Sequence, residues 1–187
     1  MLGKLREAGL RGDTLVVFLS DNGGPTAELT SSNAPLRGGK EDLYEGGIRV
    51  PFLTQWEGHL PGGVVYDRPV SSLDVLPTAL AAAGVKSPDE AKLDGVDLLP
   101  YLGGRNDRPP HDRLFWRYGG KVAVREGRWK LVRDRGQGPW ELYDLDKDVG
   151  ESDDQAARKP AVAGRLVAAW RRWDSGMIPP LWGSGPR

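Results

Sequence analysis

Residues 14–20, "TLVVFLS", form an unbroken apolar, β-branched run, and the chain passes from it directly into "DNGGPT". Such a run reads as a strand buried on both faces, the pattern of a parallel sheet. Ahead of it, Leu2, Leu5, Ala8 and Leu10 fit a short amphipathic helix that stops within Gly9–Gly12. A helix feeding a buried strand predicts an α/β architecture.

The tetrapeptide "DNGG" carries two readings. Asn-Gly is a strong hairpin signal, because both residues tolerate positive φ. Alternatively, Asp21 offers a carboxylate and Asn22 an amide carbonyl, both hard oxygen ligands suited to Ca²⁺ or Mg²⁺, while Gly23 and Gly24 let the backbone bend close to an ion. A hairpin needs a second alternating strand, and the following "PTAELTSSNAPLRGGK" is polar and aperiodic. A carboxylate just past the end of a buried strand also stands where open α/β sheets place their ligands.

Residues 21–47 make a long glycine-rich loop, and loops of that length inside compact domains are usually functional. Its end, "LRGGKEDLYEGGIRVPF", sets two Gly-Gly pairs around Lys40. Lys40 can bring a compact positive charge to a bound oxyanion, or it is an ordinary surface lysine. Arg49 is suited to holding the loop by a contact with Glu41, Asp42 or Glu45. His59 and His111 lack the matching ligand pair of a zinc site and read as surface or structural residues.

Beyond the loop, residues 49–56 read as a strand with Pro51 at an edge or entry position. Residues 72–84 read as a helix with Asp74 as N-cap, Pro77 in the first turn, Leu73, Leu76, Leu80 and Ala83 on one face, and Gly84 at its end. After residue 105 the runs "RLFWRY", "KVAVRE", "RWKLVRD" and "WELYDL", separated by turn residues, predict an antiparallel meander. Val162, Leu166, Trp170 and Trp173 then predict a helix over 158–173 that covers one face of it. The tryptophans at 116, 129, 140, 170 and 173 read as packing residues, and Trp182 as an exposed anchor.

Totals exclude some classes. With 26 basic and 26 acidic residues the net charge is zero, so nothing argues for nucleic acid or an anionic membrane. No run approaches the length of a membrane span. There is no cysteine, hence no disulfide and no thiolate nucleophile or ligand. Residues 1–13 lack the apolar stretch of a signal peptide, and no compartment is assigned.

In order, "TLVVFLSDNGG", "LRGGKEDLYEGGIRVPF", "SSLDVLPTALAAAG", "LDGVDLLPYLGG", "KVAVREGRWKLV" and "WELYDLDKDVGE" resemble the C-terminal part of a type I sulfatase of the arylsulfatase kind. The resemblance covers nearly the whole chain. It implies an α/β, alkaline-phosphatase-like fold: residues 1–105 as the C-terminal part of the catalytic domain with its portion of the large sheet, and 106–187 as a small antiparallel sheet with a packed terminal helix. It implies that Asp21 and Asn22 bind one divalent cation, usually Ca²⁺, and that Lys40 contacts the substrate sulfate and assists the departing oxygen. The family's nucleophile is formylglycine, made from the cysteine or serine of C-x-P-x-R or S-x-P-x-R. Neither motif is present; in "SNAPLR", Pro35 falls three residues after Ser32, one too many. The family's remaining metal carboxylates and catalytic histidines lie upstream of these motifs.

The expectation is therefore a C-terminal fragment of a sulfate-monoester hydrolase, inactive alone, with a missing N-terminal half as partner and a sulfated small molecule or carbohydrate as substrate. A truncated sheet also leaves an unpaired edge, which favours the fragment reading. The alternatives are a phosphatase or phosphonate hydrolase of the same superfold, or a non-catalytic metal- or sugar-binding module. Full-length members are often periplasmic, secreted or lysosomal. Glu28, Glu41 and Asp42 are the first further residues to consider as metal ligands.

Overall fold

The computed structural model describes residues 1–26, 31–87, 91–134 and 137–179; Glu28 and Trp182 lie outside the described residues. The chain divides into two compact units, one built from residues 1–19 and 51–111, the other from 20–50 and 112–187.

In the first unit, α1 (Leu2–Glu7) ends at Ala8, and the chain reverses through Gly9 at φ 69°. Strand β1 (Val16–Leu19) pairs with β2 (Phe52–Gln55), Pro51 standing at the entry to β2. The pairing is antiparallel, with Val16 opposite Gln55 and Leu19 opposite Phe52, not the parallel arrangement expected from the apolar run. Nor is β1 buried on both faces: Phe18 is 63% exposed, and its cross-strand partner Leu53 is 57% exposed. An apolar run records a preference for burial. It does not fix the direction of the neighbouring strand, and among the described residues β1 pairs with β2 alone.

The second helix of this unit begins with a 3₁₀ turn (Ser72–Asp74) that leads into α3 (Val75–Ala82). Asp74 holds the N-cap position of α3, as expected, but its side chain makes no cap bond to that helix; the capping side chain is Ser71, at the start of the 3₁₀ turn. The Ser71 hydroxyl accepts from the Leu73 amide at 3.2 Å, while the Asp74 carboxylate accepts from the Ser71 amide at 2.7 Å, a reciprocal capping box. Asp74 is fully buried because it serves more than one element. Its Oδ1 also accepts from the Val96 amide at 2.9 Å, and both oxygens lie 2.9 Å from His111 Nε2. His111 is thus a structural residue, and His59 stacks on Trp56 with ring centroids 3.9 Å apart. Leu73 and Leu76, expected to pack, are exposed. A short helix α4 (Leu99–Leu102) follows Leu98, whose amide donates to Thr78 Oγ1 at 2.9 Å.

The second unit contains the main core. Strands β3 (Leu114–Tyr118), β4 (Lys121–Glu126), β5 (Trp129–Arg133) and β6 (Glu141–Asp144) form an antiparallel meander in that order, as the sequence pattern predicts. Alternation along each strand divides the residues between two faces. Val124, Leu131 and Leu142 stand side by side on one face and pack against Leu166, Val162 and Trp170 of helix α5 (Pro160–Asp174). Ala123, Val132 and Tyr143 occupy the other face, and there they meet Leu43, Tyr44 and Ile48 from the glycine-rich loop, which closes with the single-turn helix α2 (Glu45–Ile48). Both faces are therefore covered, one by a helix and one by a loop. Among the described residues no helix is long and apolar enough to cross a membrane.

This burial pattern separates packed from unpacked leucines. Leu131→Ala, at a fully buried position, is expected to cost about 2–5 kcal/mol of stability. Leu73→Ala, at an exposed one, is expected to cost no more than about 0.5 kcal/mol. Urea unfolding followed by circular dichroism reads both; equal costs would contradict the assigned packing.

Candidate functional site

The three glycine pairs of the loop are packed backbone against backbone. A β-carbon built on Gly23 would lie 1.7 Å from the Gly46 carbonyl oxygen. One on Gly39 would lie 2.4 Å from the Gly24 oxygen, one on Gly46 2.3 Å from the Gly38 oxygen, and one on Gly47 2.1 Å from the Asp42 oxygen. No side chain fits between these segments, which is why "DNGG", "RGG" and "EGG" carry glycine where they meet.

Backbone hydrogen bonds close the lattice. The Gly23 amide donates to Gly47 O at 2.9 Å, the Gly46 amide to Arg37 O at 2.7 Å, and the Lys40 amide to Gly24 O at 3.2 Å. Asn33 then staples it from the side: its Oδ1 accepts from the Gly24 amide, and its Nδ2 donates to both Gly24 O and Gly38 O, each at 3.0 Å. The asparagine of "SNAPLR" is thus a structural pin for the site, a role that spacing alone does not reveal.

This lattice brings the two candidate motifs together through the backbone. Asp21 is exposed, and its Oδ1 accepts from the Asn22 amide at 3.0 Å. Asn22 donates its side-chain nitrogen to Gly23 O at 2.9 Å, which leaves its carbonyl oxygen as the atom suited to a cation. One carboxylate and one amide oxygen fit a hard divalent ion as part of a ligand set. Among the described residues no group of three or more His, Cys, Asp or Glu is placed to complete such a set. Asp42 is already committed: Oδ2 accepts from the Gly39 amide at 3.0 Å, and Oδ1 lies 2.9 Å from Lys121 Nζ. Lys40 is exposed, and among the described residues no carboxylate pairs with its ammonium. Arg49 meets Glu45 at 3.7 Å, one of the loop contacts expected of it.

Beneath the lattice lies a layer of charged side chains from the meander. Lys130 is fully buried, with Nζ 2.9 Å from Glu45 Oε1 and 2.8 Å from Glu151 Oε1. Glu151 Oε2 also accepts from the Glu45 amide at 2.6 Å. Arg125 stands 3.5 Å from Glu45 Oε2. Burial pushes the Glu151 carboxyl up, against the opposing pull of Lys130. Burial also draws the Arg125 guanidinium down.

Next to this cluster, Arg37 stacks over the Tyr44 ring with its guanidinium carbon 3.8 Å from the centroid, and donates to Tyr143 Oη at 2.8 Å and to Glu151 O at 2.9 Å. Both tyrosine hydroxyls donate to Glu141, Tyr44 at 2.8 Å and Tyr143 at 2.5 Å. Burial, then these bonds to a carboxylate, raise both phenols above their ordinary range.

The pairing of Lys130 with Glu45 and Glu151 gave no sequence signal. A lysine at every second position of a strand reads as solvent-facing, and its partners lie 85 residues away at Glu45 and 21 residues away at Glu151 (151 − 130). The tryptophans were legible: Trp116 packs with the loop-facing core, Trp129, Trp140 and Trp170 with the helix-facing one, and Trp173 stacks on Phe115.

The meander, its packed helix and the glycine lattice define a sulfatase-type fold. The family profile described as Sulfatase matches residues 1–85. Mouse (Mus musculus) steryl-sulfatase is 43% identical over 122 residues, covering 62% of this chain and 20% of the relative. Human (Homo sapiens) arylsulfatase A is 39% identical over 180 residues, covering 81% of this chain and 35% of the relative. The crystal structure of Ps i-CgsB in complex with k-i-k-neocarrahexaose superposes with a TM-score of 0.85 at 32% identity, over 97% of this chain and 41% of that one. The chain belongs to the sulfatase family, with its alkaline-phosphatase-like fold, and it spans well under half the length of each of these relatives.

Two expectations follow from the geometry. Gly23→Ala drives a methyl group into the Gly46 carbonyl and should destabilise the second unit by more than Asn33→Ala, which should cost about 1–3 kcal/mol for stranded polar groups; denaturant titration ranks the two. Because Tyr44 and Tyr143 ionise above the ordinary phenol range, their contribution to stability is complete below about pH 10 and is lost as pH rises through their folded values. A spectrophotometric titration should show two tyrosines that stay protonated until the chain unfolds in alkali; five tyrosines titrating together would contradict it.

Proposed function

We propose that this chain supplies the C-terminal part of an enzyme that hydrolyses sulfate monoesters. In this reading Asp21 and Asn22 contribute to a Ca²⁺ site, and Lys40 both contacts the substrate sulfate and assists the departing oxygen. The observation that carries it is the Lys40–Gly24 backbone bond, which fixes the lysine to the loop bearing both oxygen donors. A bound divalent cation would supply Lewis-acid stabilisation of charge on the sulfate oxygens.

Lys40 contributes a point charge on a flexible stem, suited to the bridging oxygen as negative charge develops there. The nucleophile and the remaining metal ligands come, in this proposal, from the family's N-terminal half, because this sequence has no cysteine and no S-x-P-x-R motif. The exposed apolar side chains Phe18, Leu53, Leu73 and Leu76 support contact with that half. The substrate class proposed is a sulfated carbohydrate, supported by the oligosaccharide complex of Ps i-CgsB.

Three measurements test this. The chain alone should not turn over an aryl sulfate, since no covalent intermediate can form without a nucleophile. Calorimetry should find Ca²⁺ binding weaker than about micromolar, as two donors leave most of the six to eight oxygens unsupplied. In the enzyme assembled with the N-terminal half present, Lys40→Ala should lower kcat by about a hundredfold or more with little change in KM, and Lys40→Arg should not restore it. Asp21→Ala should weaken metal binding, and excess Ca²⁺ should partly restore activity. An effect of Lys40→Ala on KM alone would make the residue a binding contact only.

A further inference from the structure

Lys130 and Glu151 lie outside the candidate site, yet each contact they make runs toward it. Lys130 neutralises Glu45, and Glu151 accepts from the Glu45 amide at 2.6 Å. The next two residues after Glu45 are the lattice glycines: the Gly46 amide holds Arg37 O at 2.7 Å, and Gly47 O holds the Gly23 amide at 2.9 Å. From the other direction, the Glu151 carbonyl accepts from the Arg37 side chain at 2.9 Å, one residue ahead of Gly38. Lys121 grips the same loop nearer its tip, with Nζ 2.9 Å from Asp42 Oδ1 and 3.1 Å from Glu41 O, while Asp42 Oδ2 receives the Gly39 amide beside Lys40. Two fixed points on the meander therefore bracket the segment that presents Lys40.

We infer that the C-terminal meander is a positioning platform for Lys40, with Lys130 and Glu151 as the anchoring pair and Lys121 as the second hold. The inference rests on the reading of Lys40 as a residue that meets the sulfate. The physical reason for a buried ionic anchor is directional. A lysine ammonium between two carboxylates, one of which also accepts a backbone amide, accepts one placement of Glu45, whereas an apolar contact tolerates sliding. A shift of about 1 Å in a reacting group can cost about a hundredfold in rate, so a platform of this kind matters to turnover even where no atom of it touches substrate.

The test compares Lys130→Met and Glu151→Gln with Leu166→Ala, which loosens the opposite, helix-facing side of the same meander. Amide hydrogen exchange on the full chain is read at Gly23, Lys40, Gly46 and Gly47. A positioning role predicts that these amides exchange at least about tenfold faster in the anchor variants than in Leu166→Ala at matched global stability. Uniform acceleration that follows global stability would overturn the inference. If Lys130→Met does not fold, Glu45→Gln removes the charge from the loop side while keeping shape, and the same comparison decides.

In the assembled enzyme the anchor variants should lower kcat with KM nearly unchanged, while Leu166→Ala leaves both unaltered once folded. Fast local exchange with unchanged kcat would also overturn the platform's role. The exchange arm involves no sulfate chemistry, so its failure is distinct from failure of the Lys40 reading, which Lys40→Ala kinetics decide separately.

Discussion

The buried ammonium of Lys130, held between Glu45 and Glu151, is the interaction on which the second unit depends. It sits where an antiparallel sheet would otherwise present a polar face to water. Taking three charges out of solvent is costly, and removing one partner of such a group typically destabilises by about 3–5 kcal/mol because the others are left uncompensated. The sheet can carry this layer because a loop covers it and brings opposite charges. The loop in turn can lie flat because its glycines leave no side chains between backbone and backbone. Charge below and glycine above are two halves of one arrangement.

That arrangement explains the division of labour around the candidate site. Residues that would meet a cation or a sulfate, Asp21, Asn22 and Lys40, stand at the outer side, exposed or half-exposed. The residues that fix them are inward: Asn33 across the glycine lattice, Asp42 beneath the Lys40 turn, and Glu45 in the ionic cluster. The aromatic pair Tyr44 and Tyr143, bridged through Glu141 and braced by Arg37, closes the seam between loop and sheet. Rigid support with an open outer surface suits a site that is to be completed by groups from elsewhere.

Much of this was legible in the sequence. The meander, its helix and the family resemblance all follow from local pattern and motif order. What was not legible depends on register across long separations. Lys130 and Lys121 look like the polar half of an alternating strand; the arrival of Glu45 buries the first, and that of Asp42 half-buries the second. Asp74 looks like an N-cap because aspartate before an apolar helix usually is one. Here Ser71 supplies the capping side chain, and the carboxylate joins Val96 and His111 to the helix start. The apolar run of β1 gave the right element and the wrong neighbour, since strand direction is set by topology and not by composition.

The second unit is also discontinuous along the chain, and this has a consequence in time. Glu45 finds its partners 85 residues later at Lys130 and 106 residues later at Glu151, with residues 51–111 of the other unit between them. At about 5–20 residues per second, a ribosome needs on the order of ten seconds to deliver both. For most of that interval the ribosome is still making residues 51–111, and the glycine-rich segment lacks the strands it packs on. The strands that seat residues 20–50 are made only after the whole of the interrupting stretch.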